Sequence, residues 1–154
     1  MTFNIRDLFR SSKRNVAIFI DGPNMIRKEF NIDLKEVRER AQKYGRIVFG
    51  KVFLNQFASE KLIEAVVSQG FEPLVTLAVE KDQDIDVHMA AEAMEAAYSS
   101  NIDVIVIVSR DTDFLPVVQK AKKKGKITIV MGSEPGFSMA LRNAADHVED
   151  LTKK

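Results

Sequence analysis

Residues 16–25 read VAIFIDGPNM. Five apolar residues run without a polar break, and Asp21 follows them directly. An uninterrupted run of this kind is the pattern of a strand buried on both faces, which belongs to a parallel sheet. Gly22 and Pro23 force a turn immediately afterwards, so the Asp21 carboxylate is expected at the rim of that strand, with Asn24 close behind. A second run ends the same way. Residues 103–114, DVIVIVSRDTDF, place Asp111 and Asp113 after another β-branched stretch. In open parallel sheets ligands sit at the carboxyl ends of the strands. Asp21 and Asp111 are therefore expected on one rim, distant in sequence and close in space. Clustered carboxylates repel, and a hard divalent cation is the common remedy. A Mg²⁺ or Mn²⁺ site is the leading expectation.

The chain between and beyond these runs alternates. Strands are expected at 16–21, 46–54, 72–79, 102–109 and 127–131, with a short one at 147–149. Helices are expected near 34–43, 58–69, 85–99, 113–124 and 136–145, and Gly45, Gly70 and Gly125 close three of the helices or their turns. Strand–helix alternation with short connections gives an α/β fold, doubly wound and Rossmann-like, with a mostly parallel sheet covered by helices on both faces. The connection 22–33 is longer than the others. It reads as a functional loop over the sheet rim that includes a helical turn.

The domain is expected over residues 15–150. Residues 1–14 form a basic arm or short helix, with Phe3, Ile5, Leu8 and Phe9 on one side and Arg6, Arg10, Lys13 and Arg14 on the other. A helix packed on its own domain and an arm that docks a partner or a second copy of the chain are both open for it.

Bulk composition removes several function classes. The 154 residues suffice for one domain with a real core, at 45% hydrophobic and 29% charged content. Cysteine is absent and histidine occurs twice. That excludes disulfides, thiol catalysis and thiolate metal sites, and leaves oxygen as the main metal donor. A net charge of +1 leaves nucleic-acid binding to local charge. No stretch is long and apolar enough to span a membrane, and the N-terminus lacks a signal-peptide core, so the cytoplasm is the default. The phosphate loops G-x-x-x-x-G-K-[ST] and G-x-G-x-x-G are both absent.

A third acidic place is residues 80–94, EKDQDIDVHMAAEAM. Asp82, Asp84 and Asp86 precede or open a helix. Acidic residues favour a helix N-terminus on electrostatic grounds alone. Yet in a doubly wound sheet this helix starts on the same rim as Asp21 and Asp111. Asp86 is the one expected to point inward, because an apolar face through Val87, Ala90, Ala91 and Met94 follows it. His88 reads as an ordinary residue of the first turn, and His147 is remote from the chemistry.

Pro116 lacks an N–H and fits only a first helical turn, so a helix starts near 111–113 and one of Asp111, Thr112 and Asp113 caps it. Two aspartates exceed what a cap needs, which leaves one for other work. Ser133 and Ser138 sit in a fourth loop of the rim, where contact with a phosphate and plain N-capping are both open. The lysines at 122, 123, 124 and 126 close a helix on the opposite edge, where they complement its C-terminus. Arg27, Lys28, Lys81 and Arg110 are fewer but flank the acidic motifs.

Taken in order, IDGPNM, the aspartate heading the helix in KDQDIDVHMA, and SRDTDF resemble the NYN domain, a branch of the PIN-like nuclease superfamily. The resemblance covers residues 15–150. It implies a metal-dependent ribonuclease with an acidic site in which Asp21, Asn24, Asp86, Asp111 and Asp113 match motif positions and Ser138 matches a polar position of the last loop. Arg110 departs from the motif S-G-D-x-D-F, which has Gly there. On this basis Asp21, Asp86, Asp111 and Asp113 are expected to hold Mg²⁺ or Mn²⁺, Asn24 to orient substrate or water, and Arg27, Lys28, Arg110 and Ser138 to contact RNA. The expected reaction is hydrolysis of RNA phosphodiester bonds. A non-catalytic RNA-binding or regulatory module of the same fold is the alternative, and a phosphatase or nucleotide hydrolase is a weaker third.

Overall fold

The computed structural model describes residues 14–26, 32–78 and 85–152. Its centre is a six-stranded sheet made of β1 (Asn15–Asp21), β2 (Arg46–Asn55), β3 (Glu72–Thr76), β4 (Val104–Val108), β5 (Ile127–Gly132) and β6 (His147–Asp150). The strand order is β3-β2-β1-β4-β5-β6 and every neighbouring pair is parallel. This is the doubly wound arrangement in which the chain runs outward from β1 to one edge, then crosses to β4 and runs to the other. The sheet is thus all-parallel over the described residues.

The apolar runs behave as their lack of alternation requires. All five residues of β4 are buried, as are six of the seven in β1. Successive side chains point to opposite faces, so each central strand feeds two cores. Ala17 and Phe19 of β1 join Phe53, Met89, Ala93, Ile105, Ile107 and Phe114 on one face. Val16, Ile18 and Ile20 join Val37, Val66, Val106 and Ile129 on the other.

Helices cover both faces. A single turn, α1 (Gly22–Met25), lies in the long first connection, as the sequence predicts. Next come α2 (Leu34–Gln42), capped by Asp33, and α3 (Glu60–Ser68), capped by Ser59. The opposite face carries α4 (Asp86–Ala97), α5 (Leu115–Lys123) and the short α6 (Met139–Ala144), with a 3₁₀ turn at Thr112–Phe114 leading into α5. Gly125 follows α5 at φ +82°, a left-handed conformation that favours glycine.

Two details differ from expectation. The inward face of α4 consists of Met89, Ala93, Ala96 and Ala97, whereas Val87 is 85% exposed. The repeated alanines carry too little apolar contrast to fix the face from sequence. The last helix starts at Met139 rather than 136, because Gly136 takes φ +83° and Ser138 is the cap.

The edge strand β6 is fastened by charge. Glu149, nearly buried, accepts hydrogen bonds from the Tyr44 hydroxyl (2.6 Å), Lys43 (3.0 Å) and Arg40 (3.2 Å). Arg40 also binds Glu36 at 2.7 Å and the Asp150 carbonyl at 3.1 Å, which ties the sheet edge to α2. Among the described residues no helix is long and apolar enough to cross a membrane.

The arm at residues 1–13, Arg27, Lys28, Lys81, Asp82 and Asp84 lie outside the described residues.

Candidate functional site

β1 and β4 are neighbours in the sheet although they lie far apart in the chain. Between them the winding reverses, and open α/β sheets bind ligands at the carboxyl ends of the strands flanking such a point. Asp21 is the last residue of β1 and is 3% exposed. Its Oδ1 accepts the Asn24 backbone N–H at 3.2 Å, which caps α1. Its Oδ2 accepts the Ser109 hydroxyl at 3.0 Å. Both oxygens are thereby oriented before any ligand arrives.

Gly22 permits this geometry. A Cβ there would lie 2.3 Å from the Phe53 carbonyl oxygen and 2.6 Å from Leu54 Cδ2. Only a residue without a side chain lets the turn after Asp21 press against β2.

Ser109 follows β4 and is fully buried. It donates its hydroxyl to Asp21, and the same oxygen accepts the Asp111 N–H at 3.1 Å. Asp111 in turn caps the 3₁₀ turn, accepting the Asp113 N–H at 2.9 Å. One hydroxyl thus sets the spacing between the two loops that carry Asp21 and Asp111.

Asp86 arrives from the other side, in the first turn of α4. Both of its carboxylate oxygens are screened from solvent. The cap residue of α4, Ile85, provides no side-chain hydrogen bond. The start of the helix is held instead by burial of Ile85, at 1% exposed, and by His88. The His88 ring packs edge-on against Phe53 at 5.1 Å, and its Nδ1 is hydrogen-bonded to the Thr76 hydroxyl. His88 is a strut between α4 and β3.

Asp21, Asp86 and Asp111 each bring a carboxylate oxygen to within 4.8 Å of the others. Three hard, anionic donors from a strand end, a helix start and a loop meet at the sheet rim. Such a set suits a hard divalent cation, whose charge would offset their mutual repulsion.

The remaining predicted residues are placed as follows. Asp113 is exposed and is not one of the three convergent carboxylates. Asn24 turns its side-chain oxygen to Arg110, accepting from the backbone N–H at 3.0 Å and from Nε at 3.2 Å. Arg110 also donates to the Pro135 carbonyl at 2.5 Å and the Asn24 carbonyl at 3.2 Å. Ser138 caps α6 by accepting the Leu141 N–H at 3.2 Å, and it accepts the Thr112 hydroxyl at 2.9 Å. The lysine cluster lies at the far end of α5. Lys122 donates to the Ala144 carbonyl and pairs with Asp146 at 3.5 Å, Lys124 covers the Tyr98 ring at 4.4 Å, and Lys126 binds the carbonyls of Ser99 and Ile102.

Sequence reasoning missed Ser109 and Thr76. Ser109 carried a signal, since it is the first polar residue after the VIVIV run. Thr76 carried none, because its partner His88 is reached only through the fold.

Known proteins bear out the architecture. The NYN domain model matches residues 15–152. An uncharacterized protein of Methanocaldococcus jannaschii is 55% identical over 139 residues, a match that covers 90% of this chain and 56% of that protein. The chain therefore spans about half the length of this curated relative. A crystal structure of a protein of unknown function from Vibrio parahaemolyticus superposes with a TM-score of 0.78 at 23% identity, covering 90% of this chain and 93% of that one, and shares the fold. Nearly the whole described chain thus carries the nuclease-like architecture of one family, with an acidic cluster at the rim of its sheet, and the chain belongs to the NYN domain family.

Proposed function

We propose that this chain is a Mg²⁺- or Mn²⁺-dependent endoribonuclease-like domain that hydrolyses RNA phosphodiester bonds at the Asp21, Asp86 and Asp111 site. Residues 15–150 form the domain and residues 1–14 a basic arm or short helix. The observation that carries the proposal is the convergence of three carboxylates within 4.8 Å at the reversal point of the sheet, in a chain of this family.

The donor set fits a hard cation, with oxygen ligands and no cysteine anywhere in the chain. When bound, the cation supplies Lewis acidity, activating water for attack on phosphorus and neutralising charge on the scissile group. The residues supply position. Asp21 is held by Ser109 and the Asn24 N–H, so its carboxylate keeps one orientation. Asp86 and Asp111 complete the ligand set. Asp113, exposed two residues beyond Asp111, orients the incoming water or the substrate. Arg27 and Lys28, which follow α1 in the sequence, contact the RNA backbone.

The test is cleavage of structured and single-stranded RNA with Mn²⁺ or Mg²⁺, comparing wild type with Asp111→Asn. Metal-dependent cutting that the substitution abolishes is the expected result. RNA binding that chelator does not alter, with no cutting, would establish a non-catalytic RNA-binding module instead.

A further inference from the structure

We infer that Arg110 is a positioning residue of the acidic site: its guanidinium clamps the loops after β1, β4 and β5 together and, through Asn24, fixes the Asp21 carboxylate. The inference rests on the metal-site proposal for its functional consequence, but the clamp is a matter of geometry.

Arginine offers five N–H donors in a rigid planar fork. Here Nε reaches Asn24 Oδ1 at 3.2 Å, one terminal nitrogen reaches the Asn24 carbonyl at 3.2 Å, and the other reaches the Pro135 carbonyl at 2.5 Å. The backbone joins in, since the Arg110 N–H donates to Asn24 Oδ1 at 3.0 Å and its carbonyl accepts the Ser138 N–H at 3.2 Å. Gly136, at φ +83°, lies against the same guanidinium, and a Cβ there would sit 3.4 Å from it. Three loops are joined by one side chain.

The consequence passes to the site by two short routes. Asn24, gripped at both its side-chain oxygen and its carbonyl, donates its own N–H to Asp21 Oδ1. Arg110 also immediately precedes Asp111 in the chain. Nε and both terminal nitrogens bond to protein carbonyl and amide oxygens, and those bonds hold the rim together. A lysine keeps the charge but cannot reproduce the fork.

Hydrogen exchange, Mn²⁺ titration and RNA binding on wild type, Arg110→Gly and Arg110→Lys test this. Exchange at the amides of residues 21–26 and 133–138 should quicken about tenfold or more in both variants, while β4 and α5 stay protected. The folded variants should bind Mn²⁺ about tenfold more weakly, the loss typical of a residue that supports a ligand. The salt slope of affinity for a defined oligoribonucleotide should stay as in wild type. In a cycle with Asn24→Ala, the double variant should lose no more Mn²⁺ affinity than the worse single one.

Unchanged exchange would overturn the clamp, whether or not Mn²⁺ binds. Quickened exchange with unaltered Mn²⁺ affinity would reduce Arg110 to a structural residue. A salt slope lowered by about 0.7, with Lys as good as Arg, would make it a phosphate contact. Additive losses in the cycle would overturn the route through Asn24. Absence of Mn²⁺ binding in wild type would sink the metal proposal alone, and the exchange result would still decide the clamp. Should Arg110→Gly fail to fold, Arg110→Lys carries each comparison.

Discussion

Ser109 donates its hydroxyl to Asp21 Oδ2 at 3.0 Å across 88 residues of sequence. The bond joins the ends of the two central strands at a point that solvent does not reach, and it sets the direction in which Asp21 presents its remaining lone pairs. Ser109→Ala leaves a buried carboxylate oxygen short of a donor. The expected cost is about 1–3 kcal/mol of stability. Urea unfolding of the variant at neutral pH measures it, and a loss under a few tenths would mean that the hydroxyl is dispensable.

Gly22→Ala is expected to be worse than its one added methyl implies. The new Cβ would meet backbone, the Phe53 carbonyl at 2.3 Å, and backbone cannot rotate away. Overpacking of this kind costs about 1–3 kcal/mol, and relief requires α1 to move, taking the Asp21 cap with it. Denaturant unfolding together with Mn²⁺ affinity should show both effects. A variant that matches wild type in each would refute the close approach.

Glu149 makes a prediction about pH. Burial alone would raise its carboxyl, but the Tyr44 hydroxyl, Lys43 and Arg40 outweigh burial and hold it below the ordinary value of 4.5. A carboxyl lowered in the folded state contributes stability that is fully present above its unfolded value and is lost as pH falls through its folded value. Glu149→Gln should therefore cost about 1–3 kcal/mol at pH 7. The difference from wild type should shrink as the pH drops below 4.5. Melting curves from pH 7 downward check this, and a gap that widens toward acid would contradict it. Burial, reinforced by the same carboxylate, pushes the Tyr44 hydroxyl well above its usual range.

Lys122 and Lys123 should matter little for RNA. They close α5 at the edge opposite the acidic rim, and Lys122 is engaged with Asp146 and the Ala144 carbonyl. Replacing both by alanine should change the affinity and its salt slope less than replacing Arg27 and Lys28 does. Equal effects in a filter-binding salt series would place the RNA elsewhere.

Much of this was legible in the chain because buried parallel strands leave plain marks. VAIFI and VIVIV have no polar break, so their ends are unambiguous, and the aspartates at those ends could be assigned to one rim before any coordinates. Asp86 was legible through topology, as the start of a helix that must begin on that rim. What failed to show was direction within a turn. Asp113 follows Asp111 by two residues, yet the 3₁₀ turn points it to solvent, and no periodicity distinguishes the two. Val87, expected inward, is exposed and Met89 is buried for a similar reason, in a helix of alanines. Contacts that depend on tertiary placement, such as Ser109 with Asp21, Thr76 with His88 and Glu149 with Tyr44, leave no local pattern.

The central claim is that three carboxylates form one divalent-cation site. Asp86 offers the probe that leaves in place the caps made by Asp21 and Asp111. The decisive measurement is the melting temperature of wild type and Asp86→Asn in chelator and in Mn²⁺. A cation that binds only the folded state stabilises by about 2.7 kcal/mol at a hundredfold excess over Kd. Wild type should gain melting temperature on adding Mn²⁺. Asp86→Asn should gain far less from the metal. Identical wild-type curves with and without Mn²⁺ would contradict the site, and with it the case for hydrolysis.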